Sequence, residues 1–235
     1  MNERGISLVL VLLATSFLVA IGLGLTLVVT THLMVVGNYR RSVAMLAAAE
    51  AGVELAAHDL SLEPDWSAVL AGSARSTRAD GAPSGARVLP GGRALDLDAQ
   101  TNLINCGRAS ACTSAQLAAD SRDRPWGANN PRWRLFAYGP FADFGPFVRP
   151  GPYYLMVWLG DDSREADGDP STDGGSADHR GEGVVRVRAD AIGMAGGRRS
   201  VEAELARVCR IDGGVEHCQP GIRVQSWREL RQVLP

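Results

Sequence analysis

Residues 6–36 read ISLVLVLLATSFLVAIGLGLTLVVTTHLMVV. Across these 31 positions there is no Asp, Glu, Lys or Arg, and His32 with scattered Ser and Thr supplies the only polar side chains. A charge at a bilayer centre costs several kcal/mol, so a run this long and this clean is selected to sit in lipid. As a helix it spans about 46 Å, against a hydrocarbon core of about 30 Å. It therefore tilts, protrudes, or packs on other apolar helices outside the bilayer. Gly22 and Gly24 soften its middle, and Arg40 and Arg41 follow at headgroup height.

The apolar run is too long for an ordinary secretory signal, whose core is about 7–15 residues and is followed by a small-residue cleavage site. Helical character continues beyond it. Leu46, Ala49, Val53 and Ala56/Ala57 recur at three- and four-residue spacing, marking one apolar stripe between Ser42 and Leu60. Glu50 and Glu54 lie four apart on another face, and Pro64 ends the helix.

The remaining chain has a different composition. Of 235 residues, 24 are basic, all of them Arg, and 26 are acidic; the net charge of −2 gives no reason to expect a nucleic-acid partner. Residues 65–130 are weakly patterned, with a Gly-, Ala-, Ser- and Arg-rich stretch at 71–93 that reads as loop or short hairpins. Strand signals come later, at Trp133–Tyr138, Tyr153–Leu159, Gly183–Ala191 and Ser200–Arg207. Turn residues Met194–Gly197 join the last two, which predicts an antiparallel hairpin. An antiparallel sheet packed on the outer half of the long helix is the simplest architecture, an α+β fold.

Four cysteines fall in two local pairs, Cys106/Cys112 and Cys209/Cys218. An even count outside the cytoplasm favours disulfides, and four cysteines allow three pairings. The local pairing closes loops of about seven and ten residues, constraining the unfolded chain less than long loops do. Zinc fits poorly, because the spacings are not Cys-x-x-Cys and only His217 is near.

Between Gly160 and Gly183 lies an acidic loop with eight carboxylates. Its segment Asp167-Gly168-Asp169-Pro170-Ser171-Thr172-Asp173-Gly174 sets oxygen side chains at every second position. Calcium takes six to eight hard oxygen ligands, which makes Asp167, Asp169, Ser171 and Asp173 candidate ligands, with Asp161 or Asp162 in addition. The EF-hand pattern itself is absent, since Thr172 and Asp178 stand where its glycine and bidentate glutamate belong. The alternative is a solvated acidic loop between two strands. Nothing points to catalysis: the four histidines lack partners in sequence, and no Gly-x-Ser-x-Gly, His-Glu-x-x-His or phosphate-binding loop occurs.

The N-terminus carries a family resemblance. Met1-Asn2-Glu3-Arg4-Gly5, followed by Ile6 and an unbroken apolar helix, resembles the class III leader of type IV pilins and pseudopilins. The stretch Ala47-Ala48-Ala49-Glu50-Ala51-Gly52-Val53-Glu54 is similar to one closing the N-terminal segment of PilX-like minor pilins, and Arg223–Glu229 resembles the terminal strand of some members. The resemblance implies a pilin-like fold. It also implies cleavage between Gly5 and Ile6 by a membrane-embedded prepilin peptidase, with methylation of the new N-terminus at Ile6. Implied partners are other minor and major pilins, met through the helix, and inner-membrane lipid. The implied location is the inner membrane with an extracytoplasmic C-terminal domain, then the pilus or cell surface after assembly. Major pilins carry Glu at the fifth mature position, which here is Leu10; its absence fits an initiating or tip role. The expected organisation is a leader at 1–5, a membrane and extended helix at 6–63, and a β-rich extracytoplasmic domain at 64–235. Alternative readings are a membrane-anchored adhesion or calcium-binding module and a K-type pseudopilin of a type II secretion system.

Overall fold

A computed structural model describes residues 3–89, 91–145, 151–165, 168–174, 183–194, 196–212 and 215–230. Helix α1 runs Glu3–Leu62, and the chain divides into two compact units, Met1–Ala44 and Met45–Pro235.

The first unit is helix alone. Its apolar side chains from Ile6 to Val36 are 45–69 % exposed, and its most apolar 18-residue window has a mean hydropathy of 2.7. By length and composition, α1 is able to cross a membrane. Its hydroxyls are satisfied within the helix: Thr15 donates to the Val11 carbonyl at 2.9 Å, Ser16 to Leu12 at 2.7 Å, Thr26 to Gly22 at 2.8 Å, Thr30 to Thr26 at 3.0 Å and Thr31 to Leu27 at 2.8 Å. Back-bonding to the carbonyl one turn earlier removes the cost of carrying these polar groups into hydrocarbon.

The second unit is built on a five-stranded antiparallel meander, β3 to β7 in sequence order: β3 Arg134–Pro140, β4 Tyr153–Asp161, β5 Val184–Gly193, β6 Arg198–Asp212 and β7 Val215–Leu230. The strand and hairpin expectations thus hold, with Gly193 and Gly197 closing the β5–β6 turn through a 2.8 Å backbone bond. One face packs on the last turns of α1. Ala48, Ala49, Val53, Ala56 and Leu60 are 0–1 % exposed and share a core with Leu155, Val157, Val187, Ala189 and Val201. Alanine and glycine on this stripe bring helix and sheet close together. A Cβ built on Gly52 would lie 3.1 Å from the Ala189 Cβ and from both Leu155 δ-carbons. The helix stops at Leu62, two residues before Pro64, which cannot continue it.

The opposite face, called the outer face below, is covered over β3 and β4. A second apolar cluster there joins Trp133, Leu135, Tyr138, Tyr154, Met156 and Trp158 to Leu89, Leu95 and Leu97. Its cover comes from the 65–130 region, where sequence patterning is weakest: a short hairpin, β1 Ala86–Val88 with β2 Ala94–Asp96, and helix α3 Leu97–Cys106. Earlier in that region lies the one-turn α2, Trp66–Leu70, and after α3 comes α4, Ser114–Leu117. With both faces covered, β4 is buried from Tyr154 to Asp161, which explains why its sequence is a continuous apolar run and not an alternating one.

Candidate functional site

Beyond β4, the outer face turns polar. Alternation puts Val185, Val187 and Ala189 of β5 on the α1 side, and Arg186, Arg188 and Asp190 on the other. In β6, Val201, Ala203 and Leu205 face α1, whereas Ser200, Glu202 and Glu204 face out. Register then sets opposite types side by side: Asp190 beside Ser200, Arg188 beside Glu202, Arg186 beside Glu204, and Arg228 of β7 beside Glu202. Arg186 donates to the Glu202 carboxylate, both side chains being under 10 % exposed, and Arg228 donates to the same oxygen at 2.9 Å. Asp190, fully buried, receives Arg188 at 3.2 Å and Arg198 at 3.5 Å. The Arg186 guanidinium also lies over Trp126, 4.9 Å from the ring centroid, and 5.8 Å from that of Trp133. Weakly hydrated and planar, a guanidinium suits such a site as an ammonium does not.

The segment between α3 and β3 stands over this lattice and makes the wall of a cleft of about 970 Å³. Asn105 of α3 is buried, with its amide donating to the Trp133 carbonyl at 3.0 Å and its oxygen accepting from the Trp133 amide at 2.9 Å. Trp158 Nε1 donates to Thr101 Oγ1 at 3.0 Å, pinning the same helix to β4. Asp96 caps the start of α3 through the Ala99 amide, and Gly107, in the left-handed region at φ 72°, ends it. Directly after, a Cys106–Cys112 disulfide closes the loop into α4, whose Thr113 and Gln116 form a capping box. Asn130 donates to the carbonyls of Leu117 and Ala119, and Arg124 to those of Leu117 and Pro131, so the wall is held by side chains reaching backbone acceptors. Burial, and after it the charge of Arg132, pushes the Arg124 guanidinium below its ordinary pKa; burial does the same to Arg198, against the opposing pull of Asp190.

Of the residues singled out from sequence, Cys106 lines this cleft and the others lie outside its lining. Gly5 and Ile6 are in the first turns of α1. Cys106 and Cys112 are joined as the local pairing expects, and Cys209 and Cys218 are backbone partners directly across β6 and β7. Of the proposed calcium ligands, Asp167 lies outside the described residues. Asp169 accepts from the Ser171 hydroxyl and amide, bonds that hold its carboxyl below the ordinary range, and Asp173 accepts from the Gly183 amide at 2.9 Å. Asp161 and Asp162 are both buried. Asp161 accepts from the Asp162 amide at 2.8 Å, Asp162 from the Arg164 amide at 3.2 Å, and burial pushes the Asp162 carboxyl up. Among the described residues no three metal-ligating side chains come together. The lattice of Arg186, Arg188, Asp190, Ser200 and Glu202 is a site that sequence reading passes over. Its signal is present in Val-Val-Arg-Val-Arg-Ala-Asp-Ala and Ser-Val-Glu-Ala-Glu-Leu, where charges of opposite sign occupy alternate positions of two paired strands. No family model matches the chain, and neither a curated protein nor a solved structure is found to resemble it.

Proposed function

We propose that the protein is a minor pilin of the PilX-like type, which initiates or caps assembly of a type IV pilus through its N-terminal helix. The observation that carries this reading is the double character of α1. Residues 6–36 offer an apolar surface with every hydroxyl of Thr15, Ser16, Thr26, Thr30 and Thr31 turned back on the helix, whereas residues 45–62 of the same helix supply one layer of the β-domain core. An ordinary membrane anchor needs only the first property. A helix that is also part of the outer domain's core suits a subunit moved as one piece. Lipid tails and the apolar helices of neighbouring subunits are similar solvents for such a surface, so transfer from membrane to filament costs little hydrophobic energy. Leu10, at the fifth position after Gly5, has no charge to pair with a neighbour's N-terminal amine, and this favours an initiating or tip position over one in the repeating shaft.

The test is deletion of the gene followed by counting surface filaments, with fractionation of sheared filaments. Filament number is expected to fall sharply, with the protein present at far below the abundance of the main subunit. Unchanged filament number, or abundance equal to the main subunit along the shaft, contradicts the reading.

A further inference from the structure

Among the described residues, four buried side-chain donors have no acceptor: Arg124 Nε, Arg186 Nε, Ser200 Oγ and Arg207 Nε. Three of the four, those of Arg124, Arg186 and Ser200, belong to residues lining the cleft on the outer face. Ser200 is fully buried. Leaving a buried donor unpaired costs stability, and three such groups around one cavity mark a place short of acceptors.

The charges give the same result. Arg186 and Arg228 share Glu202, and Arg188 and Arg198 share Asp190. Four guanidinium groups therefore share two buried carboxylates, three of the four side chains are no more than 21 % exposed, and Arg93 and Arg124 line the same cleft. Of the other acids nearby, Asp123 lines the cleft at an exposed position, Asp162 lies close enough to Arg186 for their charges to interact, and three more have partners of their own. Glu204, the next outward residue of β6, meets Arg164 at 3.8 Å; Glu229 meets Arg199 at 3.1 Å; Asp120 accepts from the Gly127 amide at 2.8 Å. Beside this cationic floor part of the lining is apolar, with Leu89, Leu95, Leu103, Ile104, Trp133 and Ile192, and part is polar, with Gln100, Gln116 and Ser121. An anion of matching shape supplies the missing acceptors, and an apolar portion on the same ligand covers the walls.

We propose that this cleft binds a carboxylate carried on an apolar body, of a size up to a short peptide. Planar guanidinium forks match a carboxylate's two oxygens, and the apolar part of the lining favours an anion with an apolar body over a bare, fully hydrated oxyanion such as phosphate. The carboxylate comes either from an acidic residue of a partner protein or from a free small acid. The site is independent of the N-terminal helix, so its failure leaves the pilin reading standing.

The test uses the full-length protein in non-ionic detergent micelles, following tryptophan fluorescence as Trp126 and Trp133 report on Arg186. Probes are hydrocinnamate and the blocked dipeptide N-acetyl-Phe-Glu-amide, each compared with its uncharged counterpart, hydrocinnamamide or N-acetyl-Phe-Gln-amide, and with inorganic phosphate. Saturable binding of at least one acid is expected, at least tenfold tighter than its counterpart and tighter than phosphate. Arg228→Gln, at an exposed side chain, and Ser200→Ala serve as variants, each checked for wild-type near-ultraviolet circular dichroism. At least one is expected to weaken acid binding threefold or more without changing the uncharged probe. Preference for the dipeptide assigns the ligand to a partner protein, and equal or tighter binding of hydrocinnamate assigns it to a free acid; both support the site. No saturable binding of either acid, equal binding of acid and amide, phosphate binding tighter than both, or undiminished binding in both variants overturns it.

Discussion

Gly52 marks the closest approach of helix to sheet, with Ala189 and Leu155 already 3.1 Å from where a Cβ would lie. A larger side chain there has to push the two layers apart. Gly52→Leu is expected to destabilise the domain by about 1–3 kcal/mol or more, read as a lower unfolding midpoint in denaturant. Glu202 presents the opposite problem, a buried charge whose removal strands its partners. In Glu202→Ala, Arg186 keeps its place among Trp126, Trp133 and Ser163 but loses its counter-charge, so a loss of about 3–5 kcal/mol is expected in the same measurement. Asp162 couples stability to pH. Burial raises its pKa above the ordinary value of 3.8, so the folded state holds this proton more tightly than the unfolded state does. Its contribution is full below the ordinary value and is lost as pH rises through the folded pKa. Asp162→Asn keeps an oxygen for the Arg164 amide and removes the titration. The variant is expected to gain on the wild type as pH rises above the ordinary value of 3.8, and parallel stability curves from there upward contradict the assignment.

At the scale of elements, what was legible depended on how many residues repeated a pattern. The apolar run of α1, the alanine stripe beyond it and the β5–β6 hairpin are long enough for period to identify them. The positions of β3 to β6 were legible from their apolar and aromatic residues, but of their pairings only that of β5 with β6 followed, from the turn residues between them. Helix α3 has no clear sequence signature along its length, because its ten residues bury mainly Leu97 and Asn105 and leave too little apolar periodicity. Its capping residues, Asp96 and Gly107, were the readable signals. Strand β7 extends further than its apolar residues indicate, since it passes through Pro220 and Gly221, two residues left unpaired between the partners Arg207↔Ile222 and Val208↔Gln219. A proline is tolerated at such a bulge, where the ladder is already interrupted. The cleft was illegible for a different reason: it requires the α3 segment to be laid over charged positions of β5 and β6, about eighty residues further along the chain. Its wall depends on the Cys106–Cys112 bond, which closes a loop of seven residues. Reducing that bond is expected to cost about 2 kcal/mol by loop entropy alone, so the unfolding temperature should fall on adding reductant. An unchanged midpoint contradicts this role for the bond.

At the scale of the whole molecule, one helix serves two environments, and the sequence makes the division visible. Residues 6–36 carry no charge and leave their side chains exposed; residues 45–62 bury alanine, glycine and valine against a sheet. The first surface calls for apolar surroundings such as a membrane's interior, and the second needs only the domain it belongs to. The proposed role as a minor pilin would give that surface lipid first and neighbouring helices later, so that α1 would leave the membrane. That reading requires the leader to be removed at one bond. Intact-mass and N-terminal peptide mass spectrometry of the protein from its native membrane tests this most directly. The account predicts a chain beginning at Ile6 with a methylated amine, and a chain that retains Met1–Gly5 contradicts it.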